Sequence, residues 1–348
     1  MSIPFRFAGS VALTVGLLGC SGGSGTSEVA GSGANASTGA SSGIVLMLGG
    51  TTGMGVGGNG TGTGGDGPAN QVVTQLPAGF TQTDIGGYQL GAAIVAGAGA
   101  PGMSNGGAMS GNCGNILLGV TRDFRDADEA MGHPDFNANI AGNDVTPKLV
   151  SDTLGTDQTP VYTSKCEIGN PGPKATCPYG AQTTSAANFA QWYHDTPGVN
   201  DPYLISIYLA PQAGGLFTFQ SLHYFPVDGA GFMSMAQGDD GKQHNFGFTT
   251  ELHTQFLYSG GETFNFQGDD DVWVFINNKL AVDLGGLHPA QLRNVNLDAA
   301  AAMLGIKTGT IYPLDLFHAE RHTDASTFRI DTNLSFVDCG TVIPTKVK

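Results

Sequence analysis

The chain has 348 residues, including 55 glycines, and a formal net charge of −15 from 14 basic and 29 acidic side chains. So few Lys and Arg residues argue against nucleic-acid binding, because contacts to phosphates need clustered basic side chains. Hydrophobic residues make up 40% of the chain, enough for a packed core in one or two domains.

The first residues have the pattern of an export signal. Arg6 precedes a short apolar segment at residues 11–18, and the segment ends in Leu17-Leu18-Gly19-Cys20. A membrane-spanning helix needs about 20 apolar residues, so this segment is too short to be one. The ending resembles a bacterial lipoprotein signal, which implies cleavage after residue 19 and a lipid on Cys20. We therefore expect an exported protein that only its lipid holds to the bacterial outer membrane or cell surface, and an ordinary secretion signal is the alternative.

The cysteine count fits an oxidising compartment. If Cys20 carries a lipid, four cysteines remain. Cys166 and Cys177 flank a short loop rich in proline and glycine, so we predict a local Cys166–Cys177 disulfide, which leaves Cys113–Cys339 as the second. Free thiols or a metal-binding pair are the alternative.

Composition divides the rest of the chain. Residues 20–74 are rich in Gly, Ser and Thr and predict a disordered tether, because they cannot bury enough apolar surface to offset chain entropy. Residues 75–115 are interpreted as an N-terminal arm or first strands, residues 116–340 as the folded domain and residues 341–348 as a C-terminal tail.

The folded part predicts many strands and few helices. Helices are expected at 185–196, with Ser185 as a possible cap, and at 297–306, capped by Asp298 and ended near Gly305. This pattern indicates an all-β fold, an antiparallel sandwich or barrel with one or two short helices. The apolar runs that predict strands lie at 116–124, 203–210, 216–225, 245–258, 262–266, 272–276, 279–284, 312–321 and 327–337.

Three consecutive carboxylates, Asp269 to Asp271, stand directly before the strand at 272–276. Asn277-Asn278 predicts a tight hairpin turn, so residues 283–286 should return beside the aspartates. Calcium takes six to eight oxygen ligands and would relieve the repulsion among the three charges. We therefore predict a calcium or ligand site, with a solvated acidic loop or carboxylates that cap backbone N–H groups as the alternative. Its candidate residues are Asp269, Asp270, Asp271, Asp283, Gly285 and Gly286.

A second polar cluster alternates along one predicted strand. His318, Glu320 and His322 share one strand face and suit zinc or iron. The simpler interpretation is a hydrogen-bonded cluster with Arg321 or Asp324.

Four aromatic residues, Trp192, Tyr193, Trp273 and Phe275, are candidates for stacking on sugar rings. Trp273 and Phe275 lie in mid-strand between apolar neighbours, which favours core packing for these two. The residues show no coherent nucleophile or acid–base set, so we expect no enzymatic activity.

Long motifs resemble the fibro-slime domain, a relative of the PA14 domain, from about residue 116 to 337. They are HPDF (133–136), WYHD (192–195), FPVDGAGF (225–232), HNFGFTTELHTQFLYSGGETFNFQGDDDVWVFINNKLAVDLGGLH (244–288), NLDAAA (296–301) and FHAERHTDASTFRIDTNL (317–334). The resemblance implies a PA14-like β-sandwich in an exported protein.

In PA14-like adhesins, two consecutive aspartates joined by a cis peptide hold a calcium ion that bridges to sugar hydroxyls. Asp269 and Asp270 match that pair, and Asp271 replaces the small residue that usually follows. The resemblance therefore implies adhesion through glycans or extracellular matrix polymers. The alternatives are a structural component of a fibrous or slime layer that acts through protein contacts and, less favoured, a polysaccharide hydrolase.

Overall fold

The computed structural model describes residues 74–94, 114–163, 165–338 and 340. None of the helices in these ranges is long and apolar enough to cross a membrane. Cys20, Cys113, Cys339, residues 20–73 of the tether and the C-terminal tail lie outside the described residues.

Antiparallel strands dominate the described part of the chain and confirm the predicted all-β class. The strands are β1 (Thr81–Gln82), β2 (Gly87–Ala93), β3 (Ile116–Phe124), β4 (Asn200–Tyr208), β5 (Ala210–Pro211), β6 (Phe217–Ser221), β7 (Ala236–Gln237), β8 (Gln243–His244), β9 (Phe248–Tyr258), β10 (Thr263–Gly268), β11 (Asp271–Ile276), β12 (Lys279–Leu284), β13 (Gln291–Asn296), β14 (Thr310–Glu320), β15 (Phe328–Thr332) and β16 (Ser335–Phe336).

The strands form two large sheets and one small hairpin. The nine-stranded sheet has the order β1-β2-β4-β3-β9-β14-β11-β12, and β16 also pairs with β9. The five-stranded sheet has the order β13-β10-β15-β6-β5, and β7 pairs with β8 separately. The segment expected to be an arm or first strands thus supplies β1 and β2 to the larger sheet.

Apolar side chains from the facing sides of the two sheets form the main core. Leu252, Val274 and Leu316 come from the nine-stranded sheet, whereas Phe266 and Ile330 come from the five-stranded sheet. In β10 and β15 these residues alternate with more exposed polar ones, so burial of one face fixes the register of these two strands, whereas all six residues of β11 are buried. The result is a β-sandwich.

The long segment between β3 and β4, residues 125–199, forms a second core. It packs on the outer face of the nine-stranded sheet, where Trp273, Phe275 and Phe317 meet Phe136 and Trp192. The Cys166–Cys177 disulfide lies within this layer, with 5.5 Å between its Cα atoms. The nine-stranded sheet is therefore covered on both faces around β11 and β14.

In the described part of the chain two short α-helices interrupt the strands, α1 (Ala186–Phe189) and α2 (Leu297–Leu304). Ser185 caps α1 by accepting a hydrogen bond from the Asn188 N–H, as predicted. The predicted cap of α2 was wrong, because Asn296, and not Asp298, accepts from the Ala299 N–H. Gly305 ends α2 in the left-handed conformation with φ 70°, as predicted.

Two further details differ from the sequence predictions. The single strand expected at 327–337 is divided between β15 in the smaller sheet and β16 in the larger one. The edge strand β13 was missed because only Val295 of its six residues is buried, which leaves no alternating apolar pattern.

Candidate functional site

The candidate site lies where the chain crosses between the two sheets. β10 belongs to the smaller sheet and β11 to the larger one, so Asp269 and Asp270 form the link between them. Residues 321–327 make the reverse crossing, from β14 to β15. Because β10 pairs with β15 and β11 pairs with β14, the two links lie side by side. The Asp269–Asp270 peptide bond is cis, and so is Thr323–Asp324.

Asp271 is the first residue of β11 and is completely buried in an ion pair. Its Oδ2 accepts from Arg321 Nε at 2.7 Å, and its Oδ1 accepts from the Gly286 N–H at 2.6 Å. Both partners of this ion pair have 0% exposed side chains. Both carboxylate oxygens of Asp271 are therefore engaged by the protein itself.

Asp269 and Asp270 are held by backbone donors from the neighbouring link. Asp269 Oδ1 accepts from the Thr327 N–H, and the Asp269 carbonyl accepts from His318 Nε2 at 2.8 Å. Asp270 Oδ2 accepts from the Arg321 N–H at 3.2 Å, and its Oδ1 accepts from the His288 N–H at 3.3 Å. Neither carboxylate forms an ion pair with a basic side chain among those found in the described residues.

Burial leaves this pair of carboxylates short of compensating charge. Desolvation, with repulsion from Asp270, raises the pKa of Asp269 to about 7. Desolvation also raises the pKa of Asp270 to about 6, although the charge of Arg321 acts in the opposite direction. A buried site that resists negative charge in this way favours the arrival of a cation.

Glu320 belongs to the same electrostatic cluster. Its side chain is fully buried, and its pKa is raised by desolvation and by repulsion from Asp270 and Asp269. Its Oε1 accepts from the Arg321 N–H at 3.1 Å, whereas its Oε2 is buried without a hydrogen-bond partner. The structure thus places a residue of the second predicted polar cluster beside the aspartate pair.

The return of the hairpin contributes donors to this site. The N–H groups of Gly286 and His288 bond to Asp271 and Asp270, respectively. The Gly285 carbonyl accepts from the Thr146 N–H at 2.6 Å. Asp283 pairs in register with Trp273, and its carboxylate accepts from the Lys148 N–H at 3.0 Å. The predicted ligands Asp283, Gly285 and Gly286 are therefore hydrogen-bonded to Lys148, Thr146 and Asp271, respectively.

The predicted common strand face of His318, Glu320 and His322 was wrong for His322, because β14 ends at Glu320 and His322 lies in the link that follows. His318 packs among the rings of Tyr224, Phe248 and Phe328, and burial lowers its pKa to about 4. His322 is half-buried and donates from Nδ1 to the Thr323 carbonyl at 2.6 Å. No group of three or more His, Cys, Asp or Glu side chains in the described ranges has a metal-binding arrangement.

The four aromatic candidates for sugar stacking are all core residues. Trp192, Trp273 and Phe275 are 0% exposed and Tyr193 is 1% exposed. Trp192 and Trp273 lie 6.3 Å apart between ring centroids in the second core. Their faces are therefore not available to an external sugar ring.

Sequence reasoning missed the link at 321–327 as the neighbour of the aspartate pair. Proximity along the hairpin favoured residues 283–286, whereas the pairing of β10 with β15 was not visible in the sequence. Sequence reasoning also missed the contribution of residues 125–199, the segment that covers the larger sheet. In this covering segment, the carbonyls of Asp135 and Gln182 accept from Arg321 Nη1 at 3.2 and 3.1 Å. The charged pair Glu320-Arg321 was the signal in the sequence that could have identified residues 321–327 as neighbours of the aspartates.

The residues at the crossing suit a hard cation. Asp269 and Asp270 supply carboxylate oxygens, and the buried Glu320 Oε2 lacks a partner. Because no group of three or more acidic, cysteine or histidine side chains in the described residues has a metal-binding arrangement, further ligands would have to be backbone, hydroxyl, water or sugar oxygens. This all-oxygen donor set matches calcium better than a transition metal.

Residues 230–346 match the PA14 domain. This range contains both sheet crossings and the aspartate pair, and the observed sandwich agrees with a PA14-like all-β fold.

The chain is also similar to three proteins of Dictyostelium discoideum. It is 42% identical to Protein psiR over 214 residues, covering 59% of this chain and 20% of psiR. It is 39% identical to Protein psiD over 212 residues, covering 60% of this chain and 40% of psiD. Protein psiC is 38% identical over 210 residues, which are 58% of this chain and 38% of psiC. The chain thus spans two fifths or less of the length of these relatives.

Among solved structures, the chain matches a beta-glucosidase from Kluyveromyces marxianus in complex with glucose. The match has 13% sequence identity and a TM-score of 0.19, and it covers 61% of this chain and 26% of that enzyme. A similarity at this level carries no argument about fold or activity.

Proposed function

We propose that this protein is a non-catalytic, exported binding protein that attaches to carbohydrate or extracellular matrix through calcium at Asp269 and Asp270. The observation that supports this best is the desolvated pair of carboxylates at the sheet crossing, which faces no basic side chain among the ion pairs described above. The PA14 match over the same residues favours the same function.

Each residue of the site has a defined part in this proposal. Asp269 and Asp270 hold the ion, and Asp271 anchors the start of β11 through Arg321. The N–H groups of Thr327 and His288 fix the orientation of the two carboxylates. A bound calcium would supply positive charge and open coordination positions, which vicinal sugar hydroxyls can fill.

Calcium titration by calorimetry, followed by glycan arrays in calcium and in EDTA, tests this function. We expect saturable calcium binding by the wild type and sugar binding that EDTA abolishes. The double variant Asp269→Ala, Asp270→Ala should lose both. Asp152→Ala is the matched control, because it removes a carboxylate with a 73% exposed side chain elsewhere and should change neither.

Equal calcium binding by the double variant would reject the site. The protein could instead bind calcium but no sugar on the glycan arrays, while pull-downs recover matrix proteins. That result would favour the structural role in an extracellular layer.

We further propose that Cys20 carries the anchoring lipid and that residues 21–74 act as the tether. The support is the apolar segment that ends in Leu17-Leu18-Gly19-Cys20. Cys20→Ala should abolish incorporation of labelled fatty acid and release the protein from the membrane fraction. Unchanged labelling would contradict the anchor.

A further inference from the structure

A cleft lies in the segment that covers the outer face of the larger sheet. It is formed by residues from 157–162 and 186–194 and has a volume of about 210 Å³. Pockets for drug-sized molecules are larger, about 300–1,000 Å³, so this cleft suits a single small ring. None of its lining residues is hydrogen-bonded to Asp269 or Asp270 in the described contacts.

One wall of the cleft is formed by the half-buried ring of Tyr162, which Phe189 supports from within the core. Phe189 is only 3% exposed, and its ring stacks on Tyr162 with 4.6 Å between centroids and 20° between planes. Pro160 and Ala190 extend this wall. A flat apolar wall of this kind can pack against the C–H face of a six-membered ring.

On the opposite side of the cleft, two hydrogen-bond acceptors face each other, one from His194 and one from Asp157. His194 Nδ1 donates to the Ala190 carbonyl at 2.6 Å, so the neutral ring has a lone pair on Nε2. Nε2 lies 3.3 Å from Asp157 Oδ2, which is also an acceptor. Two facing acceptors need a shared donor, either a proton on the imidazole or a ligand hydroxyl. The Asp157 Oδ1 already accepts from the Thr159 hydroxyl at 3.0 Å.

The side chains that line the cleft argue against ligands with a negative charge. No Lys or Arg is among the described residues that line it, so a phosphate or a uronic acid would find no basic partner. We propose that the cleft binds one neutral pyranose ring, with its hydroxyls on Asp157 and His194 and its C–H face on the half-buried ring of Tyr162. This binding needs no cation and is separate from the function proposed for the aspartate pair.

Saturation-transfer NMR and calorimetry on the full chain in EDTA test this site. The probes are the methyl glycosides of glucose, galactose and mannose, and N-acetylglucosamine, with choline and inorganic phosphate as comparison ligands. We expect saturable binding of at least one sugar. Ala186→Trp, at an exposed position that lines the cleft, should weaken binding at least tenfold by filling it. Asp157→Asn should weaken it about tenfold, because a hydrogen bond to a charged group is lost.

Two controls separate this site from other effects. Met303→Trp adds an indole at a 56% exposed position on α2 and should leave sugar binding unchanged. The double variant Asp269→Ala, Asp270→Ala should also keep it. The proposal is overturned if no sugar saturates the protein in EDTA, if Ala186→Trp binds like the wild type, or if only choline or phosphate competes for the cleft.

Discussion

Asp269, Asp270 and Asp271 carry the same side chain, but the fold gives each a different environment. Asp271 is fully buried and forms an ion pair with Arg321 at 2.7 Å. Asp269 and Asp270 stay in the link between sheets and receive mainly backbone donors. A run of three identical charges is therefore one buried ion pair beside a two-carboxylate site.

Arg321 connects this site to the covering segment, so its shape matters as well as its charge. Lysine keeps the charge but cannot reach Asp271 and the carbonyls of Asp135 and Gln182 together. For the proposed calcium site, we expect Arg321→Lys to lower calcium affinity about 10- to 100-fold, the usual effect of losing an outer support of a metal site, because the Arg321–Asp271 pair fixes the residue that follows Asp270. Calorimetry would measure this change.

A second readout reports the position of Arg321 itself. Its guanidinium lies 4.7 Å above the Trp192 ring, and the chain has only two tryptophans, so Arg321→Lys should also change tryptophan emission. Arg329→Lys is the matched control, since Arg329 pairs with Asp331 on the surface of β15 and should affect neither measurement. Wild-type calcium affinity in Arg321→Lys would show that the contact is only structural.

At the level of elements, pairing between strands decides which loops meet. β10 and β11 lie in different sheets, and so do β14 and β15, because the chain crosses twice at the same end of the sandwich. The register places Gly268 opposite Phe328 and Asp271 opposite Ala319. The loop 321–327 therefore reaches the aspartates although it is about 50 residues away in sequence.

The Cys166–Cys177 disulfide closes a short loop within the covering layer. It spans 11 residues of sequence, and closing a loop of this size removes enough entropy from the unfolded chain to stabilise the fold by about 3 kcal/mol. We expect Cys166→Ser with Cys177→Ser to lower the free energy of unfolding by about this amount in denaturant titrations.

Treatment of the wild type with reductant should reproduce the loss, and the double variant should not respond to it. An unchanged unfolding midpoint in the double variant would contradict a stabilising role for the bridge.

At the level of the whole molecule, a chain of buried ion pairs connects the larger sheet to residues 125–199, which cover it. We call this chain of ion pairs the ladder. Arg122 pairs with Asp195 at 2.9 Å and with Glu251 at 2.5 Å. His253 then bonds to Glu251 at 2.6 Å and to Asp315 at 2.7 Å. Charges alternate along the ladder, so each buried group has a partner of opposite sign.

This ladder predicts a stability optimum in mildly acidic solution. Burial opposes a charged His253, but its bonds to Asp315 and Glu251 prevail and raise its pKa from 6.5 to about 9. Its contribution, on the order of 3 kcal/mol, is complete below pH 6.5 and is lost as the pH rises to about 9. Burial likewise opposes a charged Glu251, but Arg122 and His253 lower its pKa from 4.5 to about 2, so its contribution is lost as the pH falls through that range.

Unfolding experiments between pH 5 and 9 would measure the effect. We expect wild-type stability to decline from pH 6.5 to 9 and His253→Gln to show a flatter profile with lower stability at pH 6. His223→Gln, which changes a 45% exposed side chain, is the matched control and should follow the wild type. Parallel profiles for wild type and His253→Gln would contradict the assigned pKa.

The sequence by itself determined the strand-rich class, the hairpin turn at Asn277-Asn278 and the ends of β3 and β12, because these depend on local alternation, turn chemistry and apolar runs. Only the tertiary structure decided that Asp271 is buried against Arg321, that residues 321–327 lie beside Asp269 and that Trp192 is a core residue. The physical reason is that strand pairing and the covering of a sheet face depend on contacts between residues far apart in sequence, which no local pattern records.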